Sequence, residues 1–89
     1  MIEGTTKTGF SFVLEEENLD NMELLESLAE IDNGNVAAIP RAAILLLGNE
    51  QKKSLYNHIR NDKGKVPIDK FADEITDIMN AIGKQGKNF

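Results

Sequence analysis

The feature that most constrains the fold is a short apolar run, AAILLL at positions 42–47, which lies between Pro40 and Gly48. Proline is favoured in the first turn of a helix and glycine just after its last turn, so these flanks predict a short helix over 40–47. A helix that is apolar on nearly every side is normally buried. The run therefore predicts a small core wrapped around this helix, or an apolar strip left open for a partner.

Size and charge limit the classes of protein to consider. The 89 residues include 15 Asp or Glu and 10 Lys or Arg, which gives a net charge of −5. We expect a chain of this length to form one domain, spanning 1–89. The negative charge argues against nucleic acid or an anionic membrane as the main partner. The chain has no cysteine, so disulfides and thiolate metal sites are excluded.

The sequence also predicts where the protein acts. The first ten residues, MIEGTTKTGF, contain neither the basic nor the apolar region of an export signal. The longest apolar run is far shorter than the ~20 residues that a membrane-spanning helix needs. We therefore expect an intracellular protein that does not enter a membrane.

The N-terminal residues 1–14 have the pattern of a β-hairpin. Apolar residues alternate with their neighbours at Phe10, Phe12 and Leu14, while residues 7–9 can form the turn and residues 2–6 the opposing strand. A two-stranded hairpin is marginal alone in water, so it must pack on helices or on another chain.

The remaining chain is predicted to be helical. Asn18 or Asp20 can cap a first helix that ends at Gly34, with an apolar face of Met22, Leu25, Leu28 and Ala29, widened by Leu24 and Ile31. After the helix over 40–47, Asn49 can cap a third helix that carries Leu55, Tyr56 and Ile59 on one face. Pro67 opens a fourth helix that ends at Gly83, with its apolar face at Ile68, Phe71, Ala72, Ile75, Ile78, Met79 and Ile82.

These elements define the predicted architecture. We expect a mainly α (α+β) fold in which the hairpin over 1–14 is followed by a compact bundle of about four helices over 18–83. Residues 84–89 are predicted to form a flexible tail.

The sequence contains no recognisable set of residues suited to catalysis or to cofactor binding. His58 is the only histidine, and its i, i+4 neighbour Ser54 is not in a strained turn of the kind that presents a nucleophile. Gly4 and Gly9 match neither nucleotide-binding fingerprint. We therefore predict no enzyme activity, no catalytic residues and no cofactor.

A calcium loop can be tested directly in IRNDKGKVPIDKF. If Gly64 is the sixth loop residue, Ile59, Lys63 and Lys70 take the first, fifth and twelfth positions, which require oxygen ligands. Three positions therefore lack an oxygen ligand, and two of these three carry a positive charge. We predict no metal site.

Charge is distributed unevenly along the chain. Residues 15–32 contain eight acidic residues and no basic one, whereas residues 52–65 contain five Lys or Arg and one Asp. One hypothesis is head-to-tail self-association, in which the acidic segment of one copy meets the basic segment of the next through Glu23, Glu26, Glu30, Lys52, Lys53 and Arg60. A second is a nucleic-acid patch of Lys52, Lys53, Arg60, Lys63 and Lys65 with Tyr56 for stacking. The commonest explanation of such an uneven charge distribution is two solvated faces of different charge.

Four segments together resemble a known family. They are GTTKTGFSF, MELLESLAEID, IPRAAILLLGNEQKKSLYNHIR and VPIDKFADEITDIMNA, and the resemblance covers residues 4–82. The order of these segments and the pattern of residues within them resemble those of the tail assembly chaperones of tailed phages and prophages of Gram-positive bacteria. The resemblance contains no catalytic motif.

The resemblance implies a non-catalytic role in the cytoplasm of a bacterial host. Such proteins coat the long helical tape measure protein, keep it in solution and help to recruit tail tube subunits. The client surface is expected to include Phe10, Phe12, Ile39, Ile44, Leu47 and Tyr56. Two alternatives stay open. One is a small phage regulator that binds nucleic acid through residues 52–65, and the other is a structural head–tail or tail component of the virion.

Overall fold

A computed structural model describes residues 1–83. The elements are β1 (Ile2–Thr5), β2 (Ser11–Leu14), α1 (Glu16–Leu19), α2 (Met22–Asp32), a 3-10 turn (Val36–Ala38), α3 (Ile39–Ile59) and α4 (Ile68–Gly83). The predicted fold class, an N-terminal hairpin followed by four helices, is confirmed. The tail predicted at 84–89 lies outside the described residues.

The hairpin buries one face against the helices. Strands β1 and β2 are antiparallel, with Ile2 opposite Leu14 and Gly4 opposite Phe12. The inward-facing Phe12 and Leu14 are each 1% exposed, as their alternation with polar neighbours predicts. A Cβ at Gly4 would lie 2.6 Å from Phe12 Cζ, so the Phe12 ring occupies the space above that glycine.

A single side chain ties the outer edge of β2 to α3. The Val13 N–H donates to Gln51 Oε1 at 2.8 Å, and Gln51 Nε2 donates to the Val13 carbonyl at 2.7 Å. These bonds satisfy both backbone groups of an edge-strand residue that would otherwise be open to another strand. Gln51 therefore fixes the position of the hairpin on the helices.

Helix α2 begins later than predicted and buries only part of the predicted face. Its N-cap is Asn21, whose side chain accepts from the Glu23 N–H, so the prediction of Asn18 or Asp20 as the cap is wrong. Met22 and Leu25 are 66% and 57% exposed and Ala29 is also exposed, so this half of the predicted apolar face is wrong. The other predicted residues, Leu24, Leu28 and Ile31, do face inward, together with Ser27. Both faces of α2 carry apolar residues, so periodicity alone could not select between them.

Helix α3 contains the apolar run and a break at Gly48. Ala42, Ala43 and Leu46 are fully buried, which confirms that the run lies in the core, although Ile44 is 39% exposed. The two helices predicted on either side of Gly48 are both present within α3, and they are separated where Gly48 adopts the non-helical φ 80° and ψ 166°.

The break at Gly48 leaves backbone carbonyls without their usual helical partners. Asn18 Nδ2 donates to the Leu46 carbonyl at 3.2 Å, and Gln51 Nε2 donates to the Leu47 carbonyl at 2.9 Å. Asn18 therefore stabilises the break in α3 rather than the start of α2.

We expect Gly48→Ala to lower the free energy of unfolding by about 1–3 kcal/mol, because its φ and ψ lie in a region that is essentially restricted to glycine. No atom lies within 4 Å of the Cβ that would be added, so the effect reports backbone strain rather than a clash. Chemical denaturation measures it, with the exposed Glu50→Ala as control, for which we expect a change within about 0.5 kcal/mol. Equal stabilities of the two variants would contradict the strained conformation.

Helix α4 follows its predicted pattern with one exception. Phe71, Ile75, Ile78 and Ile82 are buried, and Ala72 and Met79 are half-buried against the core. Ile68, which was expected on the same buried face, is 66% exposed. It is the first residue of the helix and lies beyond the edge of the core.

Candidate functional site

An open apolar groove lies beside the start of α4. Its first section has a volume of about 390 Å³ and lies between the 3-10 turn, α3 and α4. Every lining residue is apolar or aromatic: Val36, Ala37, Ile39, Pro40, Tyr56, Val66, Ile68 and Phe71. Val36 and Ile68 are 58% and 66% exposed, so this surface is open to solvent.

The second section is a separate cavity that lies between α2 and α4. It has a volume of about 280 Å³ and is lined by Leu28, Ile31, Asp32, Ile39, Ala72, Ile75, Thr76, Met79 and Asn80. Ile39 lines both sections. The two sections, called here the apolar groove, follow α4 from Ile68 to Asn80, a rise of about 18 Å along the helix.

An aromatic pair forms part of the first section. The rings of Tyr56 and Phe71 meet edge to face with their centroids 5.1 Å apart. Lys52 places its ammonium nitrogen 4.8 Å from the centroid of the Tyr56 ring. The contact is a cation–π interaction, and it puts a positive charge beside the first section of the groove.

The six residues predicted for the client surface do not form one exposed surface. Phe10, Phe12, Ile39 and Leu47 belong to the buried core, so the expectation that they form an exposed strip is wrong. The hairpin folds its apolar face onto the helices and covers that strip. Ile39 and Tyr56 nevertheless line the apolar groove, whereas Ile44 is exposed outside the lining of either section.

The groove also contains exposed residues that the sequence analysis missed, Val36 and Ile68. Val36 lies in the 3-10 turn, where α-helical periodicity does not apply, and periodicity placed Ile68 on the buried face of α4. A signal was present, because Val36 is an apolar residue in the connection GNVAAIP and Ile68 directly follows Pro67.

The residues predicted for charged self-association lie on two different elements. On α2, Glu23 forms an ion pair with Arg41 at 3.3 Å and Glu30 accepts from Asn35 Nδ2 at 2.9 Å, while Glu26 is exposed. Both partners of the ion pair are largely exposed, so the pair adds little to stability.

The basic residues after Gly48 make local contacts. Arg60 donates to the Gly64 carbonyl at 2.9 Å and to Asn57 Oδ1 at 3.2 Å, and Lys53 is exposed. Tyr56, expected to stack on bases in the nucleic-acid alternative, is instead half-buried between Phe71 and Lys52. Association of the acidic and basic segments between copies stays a prediction.

Within residues 1–83, no helix is both long enough and apolar enough to cross a bilayer. The same residues contain no group of three or more His, Asp or Glu placed to hold a metal ion.

The comparisons with known proteins provide no relative from which to transfer a role. No family model matches the chain, and neither the search of curated proteins nor that of solved structures found a match. The apolar groove and the charges around it therefore supply the grounds for a functional conclusion.

Proposed function

We propose that this protein is a non-catalytic phage tail assembly chaperone that binds a helical segment of the tape measure protein in the apolar groove. The single observation that carries the proposal is the open groove with a first section lined by apolar or aromatic side chains, two of them more than half exposed. Large apolar surfaces left open on small proteins commonly mark interaction sites. The setting is the cytoplasm of a bacterial host, as the resemblance of the four segments implies.

The dimensions of the groove favour a helix as the occupant. A length of about 18 Å accommodates about 12 residues of helix, or roughly three turns. Helices bind such grooves through apolar anchors spaced i, i+3, i+4 and i+7. The long helical tape measure protein implied by the resemblance would present segments of this kind.

Opposite charges beside the two sections of the groove support one orientation of the bound helix. Asp32 lines the second section, and Lys52 lies over the Tyr56 ring of the first. A helix carries partial positive charge at its N-terminus and partial negative charge at its C-terminus. The bound segment therefore has its N-terminus near Asp32 and its C-terminus near Lys52.

Co-expression with the tape measure protein of the same tail gene cluster tests the proposal. We expect the two proteins to co-purify after nuclease treatment and to stay together when NaCl is raised from about 0.1 M to about 0.5 M, because apolar contacts are not screened by salt. The protein is expected in the lysate and not in finished particles.

Two results would contradict the proposal by supporting its alternatives. Recovery of nucleic acid instead, with affinity falling by about one power of salt concentration per phosphate contact, would indicate a regulator that binds through residues 52–65. Recovery of the chain in stoichiometric amounts from purified virions would indicate a structural component.

A further inference from the structure

A second cavity, distinct in chemistry from the apolar groove, lies between the hairpin turn and α4. It has a volume of about 310 Å³, and its lining includes Asp73, Glu74 and Asp77 together with Lys7 and Thr8. The formal charge of these five residues is −2 when all three carboxylates are ionised. The hairpin turn is held against α4 here, because the Lys7 backbone N–H donates to Asp77 Oδ2 at 2.6 Å.

Glu74 is the unusual member of this set. It is 4% exposed, and its Oε2 accepts a hydrogen bond from Thr8 Oγ1 at 2.8 Å. Its Oε1 is buried, and among residues 1–83 it is the one buried side-chain nitrogen or oxygen without a hydrogen-bond partner. A buried carboxylate oxygen without a donor is unfavourable, so Oε1 is an acceptor that would gain from a donor supplied by a ligand.

The neighbouring hydrogen bonds leave no donor for that oxygen. Thr8 has one hydroxyl proton, which it donates to Glu74 Oε2. His58 Nε2 lies 3.0 Å from the same hydroxyl oxygen, and with the Thr8 proton committed to Glu74 the imidazole N–H is the donor in that contact. Thr8, itself bonded to His58, thus orients Glu74 through Oε2 and leaves the buried Oε1 without a donor.

We propose that this cavity binds the guanidinium group of an arginine side chain from a partner protein, with Glu74 Oε1 as its buried acceptor. The excess of carboxylates selects a cation, and the orphan oxygen at Glu74 needs a donor. Guanidinium is more weakly hydrated than ammonium and carries five donors in a fixed fork, so it can bond to Glu74 while it faces Asp73 or Asp77. The inference does not depend on which partner occupies the apolar groove.

The test is an NMR titration of the full chain with ethylguanidinium near neutral pH. We expect saturable shifts at the amides of Thr8, Glu74 and Asp77, with a dissociation constant in the millimolar range and weaker binding of ethylammonium. N-acetyl-arginine N-methylamide should bind at the same place, because it presents the group from a peptide unit. Absence of saturable shifts, or tighter binding of ethylammonium, would overturn the proposal. Exclusion of the peptide-like probe would overturn the assignment to a partner side chain.

Matched variants locate the site. Glu74→Gln should weaken ethylguanidinium binding by about tenfold, because the amide keeps the size of the side chain and removes its charge. Glu26→Gln makes the same change on the exposed surface of α2 and should leave binding unchanged. Lys7→Met should strengthen binding roughly two- to fivefold by removing a like charge from the cavity wall.

A further variant distinguishes the loss of the binding site from an effect of Glu74→Gln on folding. Asp73→Asn changes an exposed residue of the same cavity and should weaken ethylguanidinium binding severalfold. Binding that is equal in the parent protein, Glu74→Gln and Asp73→Asn would overturn the proposal.

Discussion

Replacement of Phe12 by alanine is expected to lower the free energy of unfolding by about 3–5 kcal/mol. The Phe12 ring is 1% exposed and lies over Gly4 of the opposing strand, so its removal leaves a cavity at the centre of the hairpin. A two-stranded hairpin has little stability of its own and depends on this contact with the helices. Because small domains are stable by only about 5–15 kcal/mol, the loss is a large fraction of the total.

Chemical denaturation of Phe12→Ala measures this loss of unfolding free energy, and Val13→Ala on the same strand is the control. Val13 is on the same strand but 43% exposed, and its contacts with Gln51 are made by the backbone. We expect Val13→Ala to cost less than about 1 kcal/mol. Equal losses in the two variants would show that the hairpin is not packed as described.

Substitution of Ile68 by glutamate is expected to weaken binding of the tape measure segment roughly 30-fold, which corresponds to about 2 kcal/mol. The charge would have to be desolvated in a section of the groove lined by apolar and aromatic side chains. Stability should change little, because Ile68 is 66% exposed and an acidic residue in the first turn of a helix is favourable. Affinity is measured by calorimetry with a synthetic peptide of the captured segment.

Met22→Glu is a closely matched control for this experiment. Met22 is the first residue of α2, as Ile68 is of α4, and each is 66% exposed. Met22 does not line either section of the groove, so its substitution should leave the affinity unchanged. Equal losses in the two variants would indicate a general effect of charge and would contradict binding in the groove.

The sequence predicted the fold most reliably where one face of a helix is clearly polar. In α4, acidic residues occupy most of the opposite face, so the apolar spacing left one choice of buried side, which Phe71, Ile75, Ile78 and Ile82 confirm. In α2, Leu24 and Leu25 point to different sides, and the packing against α3 determines which is buried. That choice depends on tertiary contacts that no local pattern contains.

The candidate site was much harder to predict. The first section of the groove combines residues 36–40, Tyr56 and residues 66–71, which are separated along the chain and come together only in the folded protein. The aromatic residues of the hairpin were expected at the surface, but they are the largest apolar groups near the core and are covered there. Glu74 could not be distinguished from the other acidic residues of α4, because its contact with Thr8 joins residues 66 positions apart.

Site-specific photo-crosslinking tests binding in the apolar groove most directly. A photoreactive amino acid replaces Ile68 in one variant and Met22 in another, and each is irradiated in the complex with the tape measure protein. We predict efficient crosslinks from position 68 to one helical segment of the tape measure protein and few from position 22. Crosslinks of equal efficiency from both positions, or none from position 68 in an intact complex, would contradict binding of the tape measure protein in the apolar groove.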